Sequence, residues 1–302
     1  MKFFIAGGTG FVGSYLAEEL AALGHQVTVL TRSVRKSKGS RGGVGFLEGD
    51  PTCPGRWQES VAKHDAVINL AGRSIFTFWT ARARRAILDS RTATTRRVVE
   101  ALAGAGGKTA LLSASAVGYY GGHDDDRVLD ESSPPGSDFL ARVGVEWEAE
   151  AKKAEAFGVR VALCRFGIVL GRNGGALASM ARAARYRAVS PLGTGKQWFP
   201  WIHQEDLLRI MLFLAENEGL SGPVNCTAPL PVRNEELTRA LSEALRKPLL
   251  LPAIPAFAVR TMLGEFGSVL LKGQRALPVR LSEAGFVFRF PELRGALESL
   301  LR

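Results

Sequence analysis

Short, almost unbroken apolar runs recur along this chain, separated by longer amphipathic stretches. Phe3-Phe4-Ile5-Ala6, Val27-Thr28-Val29-Leu30, Ala66-Val67-Ile68-Asn69-Leu70, Thr109-Ala110-Leu111-Leu112 and Arg160 to Leu163 have the length and β-branched content of strands. Their near-continuous hydrophobicity is that of strands covered on both faces of a parallel sheet. Between them, Ser14 to Leu23 has helical periodicity and is followed by Gly24, a residue that commonly ends helices. A second helical stretch runs from about Thr80 to Leu102, with a predicted break near Asp89-Ser90. A third is capped near Ser137 or Asp138 and continues through Trp147 to Phe157, ahead of Gly158. Alternation of this kind builds βαβ units, so the chain is predicted to be an α/β protein with a Rossmann-type doubly wound parallel sheet.

Beyond Gly167 the rhythm changes. Glycines (Gly171, Gly174, Gly175, Gly193, Gly195) and prolines (Pro191, Pro200, Pro229, Pro231, Pro248, Pro252, Pro255) interrupt it, and Val224-Asn225-Cys226 is the clear sheet-type run before position 230. The predicted organisation is a Rossmann domain over 1–167, to which 203–227 returns. A smaller C-terminal α/β lobe takes 168–202 and 228–302.

Composition narrows the class. A chain of 302 residues can bury a large core without covalent staples. Cys53, Cys164 and Cys226 are odd in number and scattered, which supports neither a disulfide framework nor a metal knuckle. No run approaches the ~18 apolar residues of a membrane span, and the chain enters a strand directly after Met1-Lys2. These features predict a cytoplasmic protein with no membrane partner. The formal charge of +10 raises the question of nucleic acid. The densest basic stretches, Arg32 to Arg41 and Arg82 to Arg97, lack interleaved stacking aromatics, and the second has the pattern of a solvated helix face, so no nucleic-acid partner is predicted.

Directly after the first strand stands Gly7-Gly8-Thr9-Gly10-Phe11-Val12-Gly13, a G-x-x-G-x-x-G loop that opens a helix. Glycines there permit a tight turn and let backbone N–H groups approach a pyrophosphate, whose charge the helix start stabilises. Gly7, Thr9, Gly10, Phe11, Val12 and Gly13 are therefore predicted to bind a dinucleotide. At the end of the second strand, an acidic residue would bond a ribose 2′-hydroxyl and an arginine would pair with a 2′-phosphate. The chain has Thr31-Arg32-Ser33 with Arg35 close behind, which predicts NADP(H); the bland alternative is that Arg32 is a surface cation.

Several further segments carry a family resemblance. They are Asn69-Leu70-Ala71-Gly72, Ser113 to Gly121, Arg165 to Gly171, Gly193 to His203, Trp201 to Leu207, and the C-terminal Leu271 to Pro278 with Glu283 to Pro291. With Phe3 to Gly13 they resemble the atypical extended short-chain dehydrogenases/reductases and, more narrowly, the epimerase-family proteins of the YfcH type, over nearly the whole chain. The resemblance implies a cofactor-binding Rossmann domain and a C-terminal substrate lobe. It places Leu70, Ala71 and Gly72 against the adenine side of the cofactor, with Asn69 either there or bonded to its own turn. Homodimers through Rossmann-domain helices are common in that superfamily and are carried over by analogy alone.

That superfamily normally uses a tyrosine with a lysine four residues later. The residues four positions beyond Tyr15, Tyr119, Tyr120 and Tyr186 are Glu19, His123, Asp124 and Ser190, so the motif is absent, and its two places align with Val143 and Trp147. A phenol of ordinary pKa is only about 0.1% ionised at neutral pH, so the standard relay cannot operate. Reduction remains open, because a neutral phenol can donate a proton while a serine hydroxyl orients a carbonyl. Ser115, with Ser113 as the alternative register, and Tyr119 or Tyr120 are the catalytic candidates. Arg165 is a candidate for cofactor or an acidic substrate group, and Trp198, His203 and Arg275 for the substrate pocket. His203 has a competing reading as a packed histidine, and Asp206 as a helix cap. Asp124-Asp125-Asp126 and Asp130-Glu131 read as a solvated loop. No histidine pair has metal-ligand spacing, so no metal is predicted. Two functions stay open: an NADP(H)-dependent oxidoreductase or epimerase acting on a small carbonyl or sugar-like molecule, and a cofactor-binding regulatory or interaction protein, with cell division as the setting the resemblance suggests.

Overall fold

A computed structural model describes residues 1–34, 43–106, 109–172, 174–185, 190–247 and 252–301. Arg35 and Tyr186 lie outside these. The strands are β1 (Lys2–Ala6), β2 (Gln26–Thr31), β3 (Val44–Glu48), β4 (Ala66–Asn69), β5 (Ala110–Ala116), β6 (Val128–Leu129), β7 (Arg160–Phe166), β8 (Ile168–Gly171), β9 (Trp198–Phe199), β10 (Trp201–His203), β11 (Gly222–Cys226), β12 (Val232–Arg233) and β13 (Arg275–Ala276). Seven of them form one sheet in the order β11-β7-β5-β4-β1-β2-β3, with every pairing parallel. The order reverses at β1, which sets a crevice at the carboxyl ends of β1 and β4.

Strand periodicity sorts the core into two layers. Phe3 and Ile5 of β1 pack with Leu16 and Leu20 of helix Phe11–Ala22 and with Ile210, Met211 and Leu214 of helix Gln204–Glu216. Phe4 and Ala6 point the other way, onto Val98 and Leu102 of helix Ala81–Leu102. Each such fully buried side chain contributes about 1.5–3 kcal/mol. The second helix is continuous, not broken at Asp89-Ser90. Thr80 caps it by accepting from Ala83 N–H, and Ser90 Oγ bonds Ile87 O without interrupting the ladder. The first begins three residues earlier than its periodicity suggested, because the glycine turn itself delivers the chain into helix.

Two-stranded pairs β8–β10, β9–β12 and β6–β13 attach the remaining segments. Leu170, Leu177, Trp201, Leu237, Leu241, Leu293 and Leu297 share a separate apolar cluster. Another joins Trp79, Ile87, Phe139, Val143 and Phe266. Among the described residues no helix is long and apolar enough to cross a membrane.

Candidate functional site

The glycine turn is shaped by close backbone approach. Gly7 has φ +86°, and a Cβ on it would stand 2.8 Å from Ala71 N and Leu70 C. A Cβ on Gly13 would stand 2.3 Å from Gly7 O, so the helix start can lie on the turn only without a side chain. Gly10 N–H donates to Gly7 O, and Gly10 occupies the cap position with extended backbone. Among the described residues no side chain caps this helix, and no acidic residue sits in its first turn. That leaves first-turn N–H groups and the positive helix end for an anionic group, a fit to a pyrophosphate. Thr9 and Gly10 are exposed. Phe11 points away, with its ring on Gly171, Gly174 and Gly175, where added Cβ atoms would come within 2.4–2.8 Å of it.

Around the turn, Thr31 is buried, its Oγ1 accepting from Ser33 N–H, and Arg32 is exposed at the end of β2. Leu70 donates its N–H to Ala6 O, which sets Leu70-Ala71 against Gly7. Gly72 is exposed, and a Cβ there would meet the Arg91 side chain at 3.2 Å.

Ser115, Tyr120 and Arg165 come together, but with one another. Ser115 Oγ donates to Glu148 Oε1 at 2.7 Å. Arg165 forks onto the same carboxylate, Nε to Oε1 at 2.8 Å and Nη2 to Oε2 at 2.9 Å, while its Nη1 reaches Tyr120 Oη at 3.0 Å. Tyr120 Oη donates to Asn225 Oδ1, and Glu131 accepts from the Asn225 and Arg280 N–H groups. Arg165 is 3% exposed and Tyr120 1%. Burial works against the Arg165 charge, but the Glu148 carboxylate outweighs it and holds the guanidinium pKa above its ordinary value. Burial pushes the Tyr120 phenol up to about 12, against the pull of Arg165. Arg165 thus directs its hydrogen bonds to Glu148, Tyr120 and Glu131 instead of the open crevice, and Tyr120 is a buried strut. Glu131, read as solvated, is also buried, and burial raises its carboxyl pKa.

Tyr119 differs. It is half-buried, its ring lies 3.6 Å under the Arg165 guanidinium, and its hydroxyl has no hydrogen-bond partner among the described residues. It rests on helix Phe139–Lys152 at Gly144, where a Cβ would stand 3.2 Å from Tyr119 Cα, beside the buried Val143. Trp147, one turn on, donates its indole N–H to Thr95 Oγ1, which also accepts from Asn69 Nδ2. Asn69 Oδ1 and Ser113 Oγ, on residues that are register partners on β4 and β5, are buried with no hydrogen-bond partner among the described residues.

Trp198 is half-buried between two cations, with Arg233 4.3 Å and Arg275 4.8 Å from its ring, and its indole N–H donates to Asp126. Asp126 also pairs with Arg233, so the acidic loop is tied to the lobe on this side. His203 lies elsewhere. It is 3% exposed, stacked on Phe290, bonded through Nε2 to Ser299, and its Nδ1 accepts from Glu205 N–H as the cap of helix Gln204–Glu216. Burial, then Arg289 and Arg172, depress its pKa to about 4. It holds neutral structure, and Asp206, expected to be that cap, instead accepts from Arg289 and Phe290 N–H groups. No three His, Cys, Asp or Glu side chains gather as a metal site among the described residues.

Sequence reasoning missed Glu148 and Arg91. Glutamate and arginine in a helical run read as solvent-facing, yet Gly144, Glu148 and Ala151 share one buried stripe with Val143 and Trp147. That stripe was the available signal.

Comparisons with known proteins agree with this architecture. The profile of the NAD dependent epimerase/dehydratase family matches residues 3–226, and a domain of unknown function, DUF1731, matches 254–300. An epimerase family protein SDR39U1 homolog, chloroplastic, from Arabidopsis thaliana is 41% identical over 308 residues, covering 100% of this chain and 87% of that protein. Epimerase family protein YfhF from Bacillus subtilis is 36% identical over 302 residues, 100% of this chain and 98% of the relative. The crystal structure of human epimerase family protein SDR39U1 with NADPH superposes with a TM-score of 0.85 at 31% identity, covering 100% of this chain and 99% of that one. This chain belongs to the NAD dependent epimerase/dehydratase family.

Proposed function

We propose that this chain binds NADP(H) along Gly7–Gly13 and catalyses hydride chemistry, as an oxidoreductase or epimerase, on a small carbonyl or sugar-like molecule without a Tyr-x-x-x-Lys pair. The observation that carries the reading is the uncapped, acid-free helix start behind a turn that side chains would block, with Arg32 at the end of the next strand. The human relative crystallised with NADPH supports the same cofactor. In this reading Gly7, Thr9, Gly10, Phe11, Val12 and Gly13 hold the pyrophosphate through main chain. Arg32 takes the 2′-phosphate beside Thr31, and Leu70, Ala71 and Gly72 line the adenine side. Bound there, NADPH would supply a hydride. Tyr119 is the proton donor, being the phenol of the pair whose hydroxyl is uncommitted. Ser115 has its proton on Glu148 and offers lone pairs, so it orients a substrate hydroxyl and does not polarise a carbonyl. Trp198 and Arg275 line the substrate side of a lobe formed by 168–202 and 228–302.

The test is calorimetric titration of the purified chain with NADPH and NADH. Tighter binding of NADPH, lost in Arg32→Ala, is expected; equal or tighter NADH binding overturns the cofactor choice. A second reading, a cofactor-binding regulatory protein with little catalysis, draws on the mutual locking of Ser115, Glu148, Arg165 and Tyr120. Following NADPH absorbance across aldehydes, ketones, quinones and nucleotide sugars separates the two: turnover abolished by Tyr119→Phe favours the enzyme, and tight binding with none favours the regulator. A cytoplasmic setting and a homodimer through Rossmann-domain helices belong to the same reading, the second to be checked by sedimentation.

A further inference from the structure

A cation without a counterion among the described residues stands beside the crevice. Arg91, in helix Ala81–Leu102, uses Nη1 to reach Arg73 O and Ile87 O, both at 3.0 Å. Its Nε and Nη2 donors have no hydrogen-bond partner, and it makes no salt bridge, among the described residues. The contrast with Arg165 is direct, since Glu148 neutralises that guanidinium along its Nε–Nη2 edge and its Nη1 is bonded to Tyr120 Oη and Glu131 O. Arg91 lies with Cζ 5.1 Å from the Trp147 ring and against the backbone of Gly72, where even a Cβ would press on Cζ and Nε at 3.2–3.4 Å. Burial alone lowers its pKa to about 10.

A guanidinium partly removed from water with its donors unmatched is costly unless something else supplies acceptors. Two buried polar atoms, Asn69 Oδ1 and Ser113 Oγ, are also unmatched among the described residues, and Thr95 links Asn69 to Trp147, against which Arg91 lies. Asn69 ends β4, and Ser113 is its register partner within β5. Arg32 marks the β2 side of the crevice and Gly7–Gly13 its centre at β1, so a dinucleotide laid from β2 across β1 keeps its adenine side along Leu70–Gly72 and extends its second half past Gly72 toward β5.

Resting on the NADP(H) reading above, we propose that Arg91 is a cofactor-binding residue for the nicotinamide half, its Nε and Nη2 groups donating to oxygens of that ribose or its adjoining phosphate, with Trp147 as the platform beneath. The positive charge comes from a different helix than the one that carries Val143 and Trp147.

Calorimetry with two ligands tests this. NADPH reports both halves, while adenosine 2′,5′-bisphosphate carries the adenine half alone. In Arg91→Met, the NADPH Kd should rise by about tenfold or more, and Arg91→Lys should recover part of it. The Kd for the bisphosphate should change less than twofold in both, whereas Arg32→Ala should weaken both ligands. Circular dichroism melts confirm that the variants are folded. If Arg91→Met is too unstable to titrate, Arg91→Gln, which keeps a donor and loses the charge, takes its place with the same expectation. Unchanged NADPH affinity in the folded variants overturns the proposal, and so does an equal loss for both ligands, which is what a purely structural hold on the Arg73 loop produces. Failure of the unmodified chain to bind NADPH would instead remove the underlying cofactor reading, and the proposal with it.

Discussion

Two adjacent tyrosines separate cleanly by environment. Tyr120 Oη sits between Asn225 and Arg165, so Tyr120→Phe leaves a buried amide oxygen and a guanidinium N–H unmatched and should cost about 1–3 kcal/mol in a denaturant titration, whatever its effect on rate. Tyr119→Phe removes a hydroxyl with no partner among the described residues and should leave stability within about 0.5 kcal/mol, while turnover, once a substrate is found, is lost at unchanged NADPH affinity. A stable, fully active Tyr119→Phe protein would refute the proton-donor assignment. Glu148 carries a larger stake. Its side chain and that of Arg165 are only 5% and 3% exposed, so solvent screening is slight. Glu148→Gln leaves a buried cation short of its counter-charge, a change worth about 3–5 kcal/mol and visible as a large fall in Tm. None of this was legible in residue types alone. Ser115, the tyrosine pair and Arg165 stand out in the sequence as polar residues after strands, yet whether such groups face a ligand or one another depends on side-chain direction. Glu148 and Arg91 were hidden because helix periodicity assigns charges to water by default.

At the scale of elements, the glycine turn is the most constrained piece. Gly13→Ala would place a methyl against Gly7 O and Gly8 Cα, so the helix must move off the turn. The expected result is about 1–3 kcal/mol of destabilisation together with loss of calorimetric NADPH binding, and retained binding in a folded Gly13→Ala protein would count against the cradle. The same turn was the most legible feature of the sequence, since glycine spacing, strand and helix follow one another within a dozen residues. Edge strand β3 was not read at all. Val44–Glu48 is half-exposed, with no residue fully buried, so it lacks the continuous apolar signature of the central strands. Beyond Gly167, Val224-Asn225-Cys226 was read as a sheet-type run and lies in β11 of the main sheet, but most of the remaining segments were read as a change of rhythm. Their order comes from two- and three-residue strand pairs such as β9–β12 and β6–β13, which no periodicity window can detect.

Across the whole molecule, His203 ties helix Gln204–Glu216 to Ser299 near the C-terminus. Its folded pKa of about 4 is below the ordinary value of 6.5, so the unfolded chain binds the proton more readily. Its contribution is fully present above about pH 6.5 and is lost as pH falls toward 4, on the order of 3 kcal/mol. Melts of wild type and His203→Gln between pH 7 and 4 should therefore converge as the solution is acidified. A gap that stays constant across that range would show that His203 does not titrate on unfolding. The ring of Phe11 makes a different long-range tie. It is carried by the peptide run that receives the phosphates, yet it is seated among three glycines of the β8 turn, so the two segments share a rivet. Occupancy on one side of that rivet must be felt on the other: amide hydrogens in 168–180, remote in sequence from every cofactor-binding residue proposed above, should exchange more slowly when NADPH is added.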